Sequence, residues 1–344
     1  VWLTGKLNAK ERRHSSNLLA TGKAQIAIGT HALFQNDVEY KRLGLVIVDE
    51  QHRFGVEQRA ALREKGRDRN RFPHQVIMTA TPIPRSLAMV IYADMDVSII
   101  DEMPPNRKYA ETVVIPNSRR KEVQERVRIA CTGGQKAYWV CPLINESDLV
   151  EAAAVVQRAK ELKEELPNVR IAVLHGKTHG EDKDSIMTEF RSGAIDLLVA
   201  STVIEVGVHV PEASLMVIEN AERLGLSQLH QLRGRIGRSG QRAVCVLLYQ
   251  SPLSSTANHR LKTLRETSDG FKIARKDLEL RGPGEVLGTR QSGIPTLRVS
   301  DLFLHREVIE KVPVIAERLQ AKHGNVVDHL IKRWLFSSDN VSNV

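Results

Sequence analysis

Two acidic residues, Asp49 and Glu50, follow directly on the apolar run 43–48, and Gln51 and His52 come next. In open α/β sheets ligands bind beyond the carboxyl ends of strands, so acids at that point are placed for chemistry. One carboxylate can hold a Mg²⁺ ion, usually through water, and its neighbour can polarise an attacking water. Taken alone, such a pair also reads as a solvated acidic turn. A second strand-like run, 75–78, ends in Thr79-Ala80-Thr81-Pro82. Threonine hydroxyls there could hydrogen-bond to the acidic pair and report the state of a bound nucleotide. Two such sites on successive strands are harder to read as turns.

The third element is the run 231–238, Gln-Leu-Arg-Gly-Arg-Ile-Gly-Arg. A helix there would put Gln231, Arg235 and Arg238 at i, i+4 and i+7, on one face. Each of its two glycines would cost a helix about 1 kcal/mol relative to Ala, so close approach of another backbone or of a ligand is expected. Arginines so presented suit the charge that develops on a transferring phosphoryl group. The plainer alternative is a basic surface helix.

These residues need elements to hold them. Short runs rich in Val, Ile and Leu occupy 25–28, 43–48, 75–78, 137–140, 171–174, 197–200, 215–218 and 244–249. Continuous apolar runs of this length predict strands buried on both faces. Between them lie helix-like stretches. In 151–166 the residues Val155, Val156, Ala159, Leu162 and Leu166 form one stripe that stops before Pro167. Strands alternating with helices predict doubly wound α/β domains with parallel sheets. A break is expected at 103–108, where Met-Pro-Pro-Asn-Arg-Lys interrupts the pattern, and the second sheet is expected to close near 250–252. The remainder is more helical and charged, with a Gly-rich interruption at 281–293 and a Ser/Asn-rich end.

The bulk numbers agree with this. The 344 residues exceed one ordinary domain, and 42% hydrophobic with 26% charged residues is ordinary for a globular chain. A formal charge of +9 favours a polyanionic partner. Aromatic content of 4% argues against base stacking as the main binding mode. Cys131, Cys141 and Cys245 lie far apart without a C-x-x-C pair, which points to packing in a reducing compartment and away from a zinc site. No apolar run approaches the roughly 20 residues of a membrane span, and no secretory signal is present. The chain opens on Val1 and not on Met, as a fragment of a longer protein would.

In combination the motifs resemble those of superfamily-two helicases. Asp49-Glu-Gln-His52, Thr79-Ala-Thr-Pro82 and the 231–238 run look like motifs II, III and VI, and 201–211 looks like motif V. Gly29-Thr30-His31 resembles motif Ib, and His175-Gly176 a strand-end contact of the second domain. Two longer stretches, 49–55 and 281–293, resemble RecG-type helicases, the second their translocation motif. The resemblance covers essentially the whole chain. It implies two RecA-like parallel-sheet domains, at 1–107 (truncated at its amino end) and 108–252, then a translocation hairpin and helical tail at 253–344.

The activity implied is ATP-dependent remodelling of branched DNA, reversing stalled forks and processing Holliday junctions in recombination and repair. By the same resemblance Asp49 coordinates Mg²⁺, through water, and Glu50 activates the hydrolytic water. Arg235 and Arg238 reach the nucleotide across the cleft, with Gln231, Gly207 and His209 as further nucleotide-binding residues. His52, Thr79 and Thr81 couple the two activities. Thr30, His31, His175, Gly176 and Thr202 grip the DNA backbone, and Arg281, Arg290 and Gln291 turn closure into translocation. The implied setting is a monomer in the bacterial cytoplasm, with ATP and Mg²⁺ as cofactors, forked DNA as partner, and a single-stranded DNA-binding protein as a candidate second partner.

Three departures stand against the family pattern. No Gly-x-x-x-x-Gly-Lys-Ser/Thr loop occurs in the sequence, and Gly176-Lys177-Thr178 is not one, because Ile171 stands where its first glycine would be. The chain alone is therefore expected to be inactive. His209 replaces the usual Asp, and Thr178 replaces a Met-like residue. Two rival readings stay open. One is a transcription-repair coupling translocase, a family that usually has Glu where Gln51 stands. The other is a non-enzymatic DNA-binding fragment or degenerate paralogue.

Overall fold

A computed structural model describes residues 1–5, 7–50, 64–66, 71–79, 96–104, 108–142, 148–202, 210–237, 240–281, 308 and 311–335. The chain divides into two compact units, Val1–Ala80 and Thr81–Val344.

In the first unit β1 (Trp2–Leu3) pairs in parallel with β2 (Ile28–Gly29), and β3 (Leu45–Val48) with β4 (His74–Ile77). Between β1 and β2 runs α1 (Ala9–Ala20), started by a capping box. The Asn8 side chain accepts the Glu11 amide at 2.9 Å, and the Glu11 carboxylate accepts the Asn8 amide at 3.3 Å. Leu3, Leu19, Ala32 and Val38 form the core of this half. β3 departs from the expected two-sided burial: Val46 and Val48 are buried, whereas Leu45 and Ile47 are 52% and 60% exposed. The reason is alternation, since successive side chains leave opposite faces and the described residues cover one face only.

Gly29 carries the tightest requirement in this unit. A Cβ there would stand 1.9 Å from the Leu3 carbonyl oxygen, across the β1–β2 pair. Gly29→Ala should force the strands apart and lower stability by about 2–3 kcal/mol. Urea unfolding would read this as a fall in midpoint, and an unchanged midpoint would show that the two strands can separate without loss.

The second unit is built on six parallel strands: β5 (Glu111–Pro116), β6 (Lys136–Val140), β7 (Ile171–Leu174), β8 (Leu197–Ala200), β9 (Ala213–Ile218) and β10 (Val244–Tyr249). Their order across the sheet is β5-β10-β9-β6-β8-β7. The chain runs from β6 to the edge strand β7, returns to β8 between them, then crosses β6 to β9 and β10, so the strand order reverses between β6 and β9. Alternate residues feed two cores. Trp139, Val199, Val217 and Val246 face α2 (Arg120–Thr132) and α3 (Asp148–Glu165). Tyr138, Leu198, Met216 and Leu247 face the other way, toward α4 (Gly180–Ser192) and α5 (Leu226–Arg233). The same core takes Leu261 and Leu264 of α6 (Ser255–Glu266) and Ile273 of α7 (Gly270–Arg281). The region after residue 253 is thus seated, at its start, on the sheet's own core. Further on come α8 (Val312–Lys322) and α9 (Gly324–Leu335).

Three details differ from the sequence reading. β5 was not among the expected strands: it is a sheet edge, opening on Glu111 and Thr112 and ending on Pro116, which an edge tolerates. Helix α3 begins at Asp148, earlier than 151. Its Val156 is 49% exposed, so the buried stripe is Val155, Ala159 and Leu162, with Leu166 following just beyond the helix end. All three cysteines are buried. Burial pushes the thiols of Cys131 and Cys245 up to about 12, and that of Cys141 up as well, so all three stay protonated at neutral pH. Among the described residues no helix is long and apolar enough to cross a membrane.

Candidate functional site at the strand ends

The first unit gathers its candidate residues beyond the carboxyl ends of parallel strands. β3 and β4 pair with Val48 opposite Ile77, and the Met78 amide donates to the Val48 carbonyl at 2.8 Å. Asp49 and Glu50 therefore leave one strand at the level where Thr79 leaves its neighbour. Glu50 has φ of 52°, the left-handed region that a side chain with a Cβ rarely adopts. Its amide donates to the Asp49 carboxylate at 2.8 Å. Such strain costs about 1–3 kcal/mol and concentrates where a side chain must be aimed. Thr30 follows β2, its amide donating to the Leu3 carbonyl at 3.3 Å, and His31 opens a short 3₁₀ turn with its ring edge-on to Phe34 at 5.8 Å. His52 and Thr81 lie outside the described residues.

A magnesium ion fits the acidic pair chemically. Carboxylate oxygens are the hard donors Mg²⁺ takes. Among the described residues no group of three or more His, Cys, Asp or Glu gathers to enclose a cation.

The second unit repeats the placement. His175 and Gly176 follow β7, and Ser201 and Thr202 follow β8. Helix α5, holding Gln231, ends at Arg233, with Gly234 as its cap. The expected single helical face for Gln231, Arg235 and Arg238 is therefore corrected: Arg235 lies in the turn beyond the helix. The chain passes from α5 into a tighter turn at this point, the Arg235 amide donating to the Leu232 carbonyl at 2.9 Å. Gly237 has φ of 76°, and a Cβ on it would stand 3.1 Å from both the Lys108 carbonyl oxygen and the Ala243 side chain. The expected close approach of another backbone is thus present at Gly237. Arg281 closes α7. Gly207, His209, Arg238, Arg290 and Gln291 lie outside the described residues.

Sequence reasoning passed over Arg233, which the structure singles out. It is 5% exposed and donates to the carbonyls of Leu264 (2.8 Å) and Thr267 (3.0 Å) and to the Thr112 hydroxyl (3.2 Å). It thus ties α5 to the end of α6 and to β5. A second tie runs from Ser227 on α5 to Asp277 on α7, at 2.7 Å. Arg233→Met would leave two buried carbonyls without donors, at about 2–4 kcal/mol. Thermal unfolding checks this, and a variant as stable as the parent would mean that water replaces the guanidinium. The signal in the sequence was an extra arginine inside the 231–238 run.

A buried ion cluster also escaped notice. Glu219, directly after β9, lies where the strand order reverses. Its carboxylate, 8% exposed, accepts from Arg120 of α2 at 2.5 Å, from the Trp139 indole at 2.7 Å and from Arg158 of α3 at 3.0 Å. Arg120 also stands 5.4 Å from the centre of the Trp139 ring. Arg158 pairs further with Glu161, which balances the charge. An acid straight after an apolar strand was again the available signal.

Three family profiles match the chain: DEAD/DEAH box helicase over residues 2–90, helicase conserved C-terminal domain over 118–240, and "ATP-dependent DNA helicase RecG, domain 3, C-terminal" over 267–329. "ATP-dependent DNA helicase RecG" of Pasteurella multocida (strain Pm70) is 54% identical over 97% of this chain and 48% of its own length. The protein of the same name from Escherichia coli (strain K12) is 52% identical over 99% of this chain and 50% of its own. The chain belongs to the RecG helicase family. It spans about half the length of these curated relatives. Among solved structures, a RecG bound to a three-way DNA junction superposes with a TM-score of 0.66 at 43% identity, covering 90% of this chain and 39% of that one. The helicase Lhr of Mycobacterium smegmatis superposes with a TM-score of 0.56 at 18% identity over 78% of this chain and 37% of its own, a likeness of fold alone. The RecG-family chain thus carries the mixed α/β, RecA-like architecture expected from its motifs.

Proposed function

We propose that this chain is the motor portion of an ATP-dependent DNA helicase that remodels branched DNA in recombination and repair. The observation that carries the reading is the acidic pair: Asp49 and Glu50 at the carboxyl end of β3, level with Thr79 on β4, with Glu50 held in a left-handed backbone. Family membership and the likeness to a junction-bound RecG support it.

Bound Mg²⁺ would supply charge neutralisation on the phosphates. Asp49 would hold that ion, through water, and Glu50 takes the proton of the attacking water and aims it. Arg235 and Arg238 donate to the oxygens on which charge develops, a role that rests on fixed positive charge. Gln231, Gly207 and His209 line the nucleotide, and His52, Thr79 and Thr81 link it to DNA. Thr30, His31, His175, Gly176 and Thr202 donate to DNA phosphates. Arg281, Arg290 and Gln291 carry the translocation step. The domains run 1–107, 108–252 and 253–344, and the setting is the bacterial cytoplasm, as a monomer. The 344 residues hold no phosphate-binding loop, so by themselves they do not hydrolyse ATP.

Phosphate contacts position a protein without reading sequence, and they weaken as salt rises. Two three-way junctions of unrelated sequence should therefore bind with equal affinity, falling steeply with salt. Strong preference for one sequence, or binding indifferent to salt, would remove the DNA-backbone reading.

A further inference from the structure

Thr178 stands in the turn after β7, one of the places where the sequence leaves the family pattern. Its hydroxyl oxygen accepts the backbone amide of His175 at 3.1 Å, and its own amide donates to the His175 carbonyl at 3.0 Å. The same hydroxyl lies 3.4 Å from Nδ1 of the His175 ring. A hydroxyl has one proton to give. Having accepted from the amide, the Thr178 hydroxyl is placed to send that proton to Nδ1. A neutral imidazole whose Nδ1 accepts carries its proton on Nε2. Nε2 has no protein partner among the described residues, while the ring itself is half-buried. Beside it, a Cβ on Gly176 would meet nothing within 4 Å among the described residues, which leaves room there for an approaching backbone.

We infer that Thr178 is a positioning residue: its hydroxyl holds the His175 ring so that Nδ1 accepts and Nε2–H is presented as a neutral donor to a DNA phosphate oxygen. The inference rests on the reading of His175 as a DNA contact. It adds that the contact is oriented from within the turn, by a group that itself touches no DNA. A preset donor loses less rotamer freedom on binding than a free one.

The test uses the whole chain labelled with [¹⁵N]histidine, with the His175 signals assigned by their loss in His175→Gln. Long-range ¹H–¹⁵N correlation should show Nδ1 as a hydrogen-bonded acceptor and Nε2 protonated. In Thr178→Val the Nδ1 signal should move to that of an unbonded acceptor, and in Thr178→Ser it should stay. Affinity for a labelled three-way junction should fall roughly three- to tenfold in Thr178→Val, the worth of one hydrogen bond, and be kept in Thr178→Ser. In the His175→Gln background, Thr178→Val should add nothing. An Nδ1 signal unmoved by Thr178→Val overturns the positioning role, even where His175→Gln weakens binding. Junction affinity unchanged in His175→Gln overturns the underlying DNA reading, and the proposal with it.

Discussion

Replacing Glu219 with Ala is expected to destabilise the second unit by about 3–5 kcal/mol, the usual consequence of stranding a buried charge. The carboxylate is 8% exposed and accepts from Arg120, Arg158 and the Trp139 indole. Without it, Arg120, itself 16% exposed, keeps its charge and loses its counter-ion. The loss should exceed what the missing side-chain atoms would explain. A companion variant separates the two causes. Replacing Arg120, Arg158 and Glu219 together with apolar residues of similar volume should recover part of the stability, because no charge is then stranded, and the remaining deficit is that of the Trp139 indole N–H left without its acceptor. Chemical denaturation measures both. If Glu219→Ala costs under about 1 kcal/mol, the value of an exposed pair, the cluster is solvated and the argument from burial fails.

Glu50→Gln should lower DNA-stimulated ATP hydrolysis by about 10²–10⁴-fold, the range for loss of a positioned general base. The measurement uses a longer protein, of the length of the RecG relatives of which this chain spans about half, that includes a phosphate-binding loop. Gln keeps the shape and accepts hydrogen bonds but cannot take a proton, so ATP should still bind. The loss should thus appear in kcat with little change in KM. Residual activity near that of the parent would assign the water to another residue, and Glu50 would be left holding backbone geometry.

Much of this was legible in the sequence because it is local. The run 43–48 with Asp49 and Glu50 behind it announces a strand with an acidic pair at its end in eight adjacent residues, and β3 lies there, though buried on one face only. Seven more strands fall on or beside apolar runs for the same reason. The left-handed Glu50 was not legible, since nothing in a side chain's type demands positive φ. Glycine misled in a particular way. Gly234 was read as a costly insertion in a helix, whereas it ends α5, and the two uses share a residue type. The edge strand β5 hides because Glu111, Thr112 and Pro116 suit a half-covered position. The Glu219 cluster was beyond reach on other grounds: its partners are 99, 80 and 61 positions away, and only the packing of α2 and α3 on the sheet assembles them.

The central claim, that these residues are the working half of a branched-DNA motor, is tested most directly by ATP hydrolysis with and without three-way-junction DNA. The longer protein that includes a phosphate-binding loop should hydrolyse ATP, respond to the junction, and lose the response in Glu50→Gln, while the 344 residues alone stay silent. Silence of the longer protein with junction DNA, or robust hydrolysis by the 344 residues alone, would contradict the account.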